Sequence, residues 1–253
     1  MGSHEPELVV AGRFRGPARS GNGGYTAGSL ADRVTSSTDC PVVEVTLRLP
    51  PPLDVPMQVE QRGGATVLTW AGTTIAEARE TDTVLEPVDP VSVTEATDAM
   101  ARYRGLVSHP FPTCFDCGTG RAEGDGLRIF PGPVGDHRVA AVWVPHESVA
   151  EFSDLLDEGV ARVGVGTAWA ALDCVGGWAG DIGERLMVLG RMTAQVDALP
   201  VIGEPHVVIG HGVGTDGRKT FSTSTIYDSD GRIVGRAHHV WIAVAPEAFP
   251  FGH

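Results

Sequence analysis

The chain has 253 residues, 42% of them hydrophobic and 20% charged, which fits one large or two ordinary globular domains and excludes a disordered chain. No run approaches ~18 uninterrupted apolar residues, so no membrane-crossing helix is expected. Nineteen Lys and Arg against 32 Asp and Glu leave a net charge of −13, which argues against nucleic acid or an anionic membrane as the main partner.

The N-terminal stretch MGSHEPELVV carries no basic region ahead of an apolar one, so no secretory leader is expected. With four cysteines (Cys40, Cys114, Cys117 and Cys174), that reading places the chain in a reducing cytoplasm. Arg13, Arg15 and Arg19 cluster next, as a solvated strand face or as contacts for phosphates. They precede Asn22-Gly23-Gly24-Tyr25, which opens a run of small residues ending at Ala31 and reads as a helix. Asn22 suits the N-cap, and the two glycines let peptide N–H groups approach an oxyanion or a phosphate.

Residues 42–80 form an antiparallel meander. An extended segment reaches a Leu49-Pro50 break, Gly63-Gly64 turns into a strand over 66–70, and Ala71-Gly72 turns into another over 75–78. The acidic, proline-bearing stretch that follows ends in a short helix over 93–103, for which Thr94 and Thr97 are candidate caps. Cys114 and Cys117 stand two residues apart. A tetrahedral zinc needs four ligands, His109 and His137 are not spaced as a pair, and Cys174 is far along the chain. The pair therefore reads as a structural turn rather than a metal or redox site.

Residues 165–178 are a second small-residue helix with a double glycine, Gly176-Gly177, and a single carboxylate, Asp173, in an apolar setting. A buried carboxylate needs a partner or a raised pKa, although a cap on the Gly176-Gly177 turn would also account for it. A strand follows from 187 on, then a break at Leu199-Pro200, then strands over 206–210, 220–227 and 233–244. The order repeats that of the first half, so a duplicated α+β unit is expected. No Gly-x-Ser-x-Gly elbow, P-loop or dinucleotide fingerprint is present, which disfavours a serine hydrolase, a nucleotidase or a dehydrogenase.

A small-residue helix with GNGGY, then long antiparallel strands with a Leu-Pro break, repeated in one chain, resembles the double hotdog of the thioesterase-like superfamily, acyl-CoA thioesterase II type. The stretch 114–133, CFDCGTGRAEGDGLRIFPGP, is similar to one ahead of the helix in other small hotdog thioesterases. The resemblance implies two tandem hotdog units, each an antiparallel sheet wrapped around a central helix: 1–90, then a linker over 91–110, then 111–253. It also implies hydrolysis of acyl thioesters by a water that Asp173 orients, helped by Thr193 and by His239 where the family has a glutamine. Asn22, Gly23, Gly24, Tyr25, Trp169 and Gly176 would bind substrate, with the acyl chain lying between helix and sheet beside Ala170, Ala171 and Gly176. His238 would face the other side of its strand. The hotdog hydratase pattern, which pairs an Asp with a His near the helix start, is missing from both helices. The expected partner is an acyl-CoA or another acyl thioester, with no metal or organic cofactor; sheet-edge pairing into a homo-oligomer is open. The rival expectation is a non-catalytic acyl-CoA or lipid-binding hotdog protein, which the His239 departure favours.

Overall fold

In the computed structural model, described over residues 6–151 and 159–245, the Gly and Pro punctuation becomes hairpins. Residues 1–5 of the stretch read for a leader lie outside the described residues. The first half contains β1 (Glu7–Val9), α1 (Gly23–Ala31), β2 (Val43–Leu47), β3 (Pro56–Arg62), β4 (Ala65–Trp70) and β5 (Thr73–Glu80). The β3–β4 turn is Gly63-Gly64, both in the left-handed region that closes a two-residue hairpin with the right twist. A short α2 (Val93–Met100) follows, then β6 (Gly132–Gly135) and β7 (Arg138–Trp143). After a small ribbon of β8 (Ala150–Glu151) and β9 (Arg162–Val163) comes α3 (Val165–Ala179). The chain closes with β10 (Met187–Val196), β11 (His206–Asp216), β12 (Lys219–Tyr227) and β13 (Ile233–Ala243).

Eleven strands make one antiparallel sheet in the order β1-β3-β4-β5-β2-β10-β13-β12-β11-β7-β6. Counted along each half, β1-β3-β4-β5-β2 and β7-β11-β12-β13-β10 follow the same scheme, and the halves meet where β2 pairs with β10. Each half thus has the same strand order and contributes one of the two small-residue helices, α1 and α3. None of the helices of the described residues is long and apolar enough to cross a membrane.

The two helices touch through glycine. Gly24 and Gly28 share a face of α1, and a Cβ on them would come within 2.4 Å of Asp173 Cβ and 2.5 Å of Trp169 Cβ. Helix α3 is buried along almost its whole length, which accounts for its lack of a polar face.

Residues in and just before the segment expected as a linker pack on the sheet. Val88 and Ala96 lie in a small core with Val207, Ile209 and Tyr227 on the sheet face opposite α3, while Gly210 meets the Val175 carbonyl on the helix side. Both faces of β11 are covered there, so its apolar run does not alternate with polar residues. The cap of α2 also differs from the expected threonines: the Ser92 hydroxyl accepts from Glu95 N at 3.1 Å, and Thr97 instead donates back to the Val93 carbonyl. Serine followed three residues later by glutamate is the pattern that seats a helix start, and it displaces Thr94 from that role. Ser92→Ala is expected to cost about 1 kcal/mol, read as a lower midpoint in urea unfolding.

Candidate active site

Asn22 ends the loop ahead of α1 and caps it, its Oδ1 accepting from Tyr25 N at 2.7 Å. Its Nδ2 is then free to point the other way, and donates to Asp173 Oδ2 at 3.2 Å. The same carboxylate oxygen accepts the Gly24 peptide N–H at 2.8 Å. That bond needs the glycine, because the helices could not otherwise approach closely enough. Asp173 is 2% exposed, and its other oxygen, Oδ1, is buried with no hydrogen-bond partner. Burial drives its carboxyl up to about 7, against the opposing pull of the Gly24 N–H and the Asn22 amide; the Cys114 sulfur adds to the rise. A carboxyl near neutrality is matched to taking a proton from water.

Beside this carboxylate lies a cavity of about 360 Å³ whose wall includes Asn22, Gly23, Asp173, Leu47, Met187 and Leu189. Most of the remaining wall is apolar. Exposed Arg48, paired with Glu77 at 2.8 Å, also lines it.

Of the residues expected at the site, the fold brings Asn22, Gly23, Gly24 and Asp173 together and sends the others elsewhere. Thr193 is in register with His238 and Glu44 on β10, between Met192 and Ala194, which are in the core. It therefore faces the opposite side of the sheet from α3. His239 does turn inward, but beneath Gly176: a Cβ there would come within 2.7 Å of its Nδ1. That nitrogen lies 3.3 Å from the Ser222 carbonyl, Nε2 has no partner, and burial pushes the imidazole down to about 4. Neither Thr193 nor His239 lines the cavity or bonds to Asp173.

Tyr25 stacks on Phe14 with ring centroids 3.8 Å apart, and Trp169 fills the crossing against Gly28. Ala170 and Ala171 are fully buried and, like Gly176, do not line this cavity. This cavity lies at the start of α1, beside the end of β2 and the first residues of β10. Arg13 is committed to the carbonyls of Gly124 and Ser148, and Arg15 to that of Gly12, so neither faces the cavity as a phosphate contact.

Three groups at the site were not expected from sequence. Cys114 and Cys174 line the cavity beside Asp173 with their sulfurs 3.6 Å apart. Asp116, fully buried, accepts from Cys174 N at 3.0 Å, and burial holds its carboxyl well above the usual range. A carboxylate inside Cys-Phe-Asp-Cys was the available signal, but only the tertiary fold reveals that this turn abuts α3.

Neither a protein-family model nor a curated protein sequence matches the chain. Solved structures do, and they define the fold. The chain has the hotdog fold, like a conserved protein of unknown function from Alicyclobacillus acidocaldarius (11% identity, 95% of this chain and 93% of that one, TM-score 0.52). It is similar over nearly its full length to proteins assigned as a thioesterase in Novosphingobium aromaticivorans and a thioesterase II in Thermobifida fusca. The first is 12% identical over 94% of this chain and 95% of that one, with a TM-score of 0.60. The second is 13% identical over 96% and 94%, with a TM-score of 0.56.

Proposed function

We propose that the protein is a double hotdog acyl-CoA thioesterase, with units 1–90 and 111–253 joined through 91–110. One observation carries the reading: a buried carboxylate, anchored through one oxygen by the Gly24 N–H and Asn22, keeps its second oxygen unpartnered beside an apolar cavity. In the proposed reaction a water held by Asp173 Oδ1 attacks the thioester carbonyl and gives its proton to the carboxylate. The tetrahedral oxyanion is received by the Gly23 peptide N–H at the start of α1, and its collapse breaks the C–S bond as the departing coenzyme A sulfur takes the proton from Asp173. The acyl chain occupies the apolar wall of Leu47, Met187 and Leu189, and Arg48 meets the charged end of the carrier.

A second reading, a non-catalytic acyl-CoA or lipid binder, is favoured by the positions of Thr193 and His239, which leave Asp173 without the strand partners implied by the resemblance. Free-thiol release from acyl-CoAs of increasing chain length, aryl thioesters included, separates the two. The expected result is turnover with an optimum length. In Leu189→Phe, losing room for two methylenes costs roughly 1.6 kcal/mol, so kcat/KM for acyl chains that fill the cavity falls about fifteenfold while the shortest are unaffected. Saturable binding without turnover of any acyl-CoA would replace the hydrolase with the binder.

A further inference from the structure

Cys114, Cys117 and Cys174 are each buried, and their sulfurs all lie within 4.8 Å of one another. The first two sit on a Cys-x-x-Cys-Gly turn. Gly118 N donates to the Cys114 carbonyl at 3.0 Å, and a side chain at Gly118 would overlap the Cys114 backbone at 2.4 Å. The Asn22 amide approaches the Cys114 sulfur at 3.7 Å, and the Cys174 sulfur lies 3.6 Å from it. The third sulfur comes from the middle of α3, sixty residues further along, which is why sequence spacing could not supply it.

Asp116 Oδ1 and Asp173 Oδ1 are buried carboxylate oxygens without partners next to the three sulfurs. Among the described residues, no histidine and no further cysteine or carboxylate joins the three sulfurs within that 4.8 Å reach. His109 cannot serve, because its Nε2 meets the Cys117 carbonyl at 3.0 Å and its Nδ1 accepts from Phe111 N at 2.9 Å. His137 lies elsewhere, in the β6–β7 turn. Three buried sulfurs within reach of one ion ligate a metal as thiolates, the ion balancing their charge.

We infer that Cys114, Cys117 and Cys174 form a binding site for a thiophilic divalent cation of the zinc class, with its fourth position open to the cavity. Three thiolates plus one exchangeable position is a coordination that zinc accepts, and Cys114 and Cys174 already line the cavity wall. Each thiol loses its proton on binding, so the complex forms with release of the protons that the free thiols carry. The inference does not depend on the thioesterase reading.

The test uses the full chain, freed of any metal-binding tag, stripped with chelator under reducing conditions and titrated with zinc and with cobalt. The expected result is about one ion per chain, with cobalt giving intense sulfur-to-metal charge-transfer absorption. Cys117→Ser and Cys174→Ser should each weaken binding at least about a hundredfold, whereas Cys40→Ser, outside the cluster, should bind as the parent does. If a serine variant does not fold, the cobalt spectrum of the parent decides, because sulfur ligation is read there directly. A folded parent that gives no charge-transfer band, or zinc binding that survives Cys174→Ser undiminished, overturns the site. So does conversion of Cys114 and Cys174 to a disulfide by peroxide in a chain that takes up no metal.

Discussion

Asp173→Asn is expected to lower the rate of acyl-CoA hydrolysis by at least about a hundredfold, the usual contribution of a positioned general base. The substitution is close to isosteric, and the amide oxygen still accepts from Gly24 N and Asn22, so the helix crossing is retained. What disappears is the carboxylate oxygen that has no protein partner, the atom assigned to hold and deprotonate water. A purely structural Asp173 would behave differently: the variant would lose thermal stability and activity together. Rate and melting temperature measured on the same preparation distinguish the two.

Gly28→Ala should destabilise the whole molecule. Alanine gains up to about 1 kcal/mol of helix propensity over glycine, but its Cβ would sit 2.5 Å from Trp169 Cβ and 2.9 Å from Gly166 Cα. Those atoms belong to a helix packed on the sheet from below, and Gly166 offers backbone that no rotamer change can move. The overlap forces α1 and α3 apart and costs about 3 kcal/mol or more, so the propensity gain is overcome. For a chain of this size, that loss corresponds to a melting temperature lower by roughly 5–10 °C, measurable by calorimetry. An unchanged or raised melting temperature would mean that the helix crossing yields easily, contrary to the glycine packing described above.

Local chemistry made most of the elements legible. Paired glycines at Gly63-Gly64, small-residue runs at Gly23 and Val165, and the recurring strand pattern specify hairpins and close-packed helices without reference to the rest of the chain. Asp173 stood out for the same reason, as one carboxylate in an apolar helix. The partners of that carboxylate were much less legible. Whether Thr193 faces Asp173 depends on the phase of β10, which a bulge between Leu189 and Arg191 resets, and a one-residue change moves a side chain to the other face. The depth of His239 depends on Gly176 leaving room beneath α3. Cys174 joins Cys114 and Cys117 only because the loop ahead of β6 folds back onto α3. No spacing rule within one segment encodes such a contact. The same holds for the cavity, which is built from α1, β2, β10 and β13 together.

The most direct test compares equilibrium binding and turnover of one acyl-CoA by the parent chain and by Asp173→Asn, side by side. The account predicts that both bind it with dissociation constants within about threefold, an energy difference under roughly 0.7 kcal/mol, while only the parent releases thiol at an appreciable rate. Equal turnover by the two proteins, or binding with no turnover by either, would contradict it.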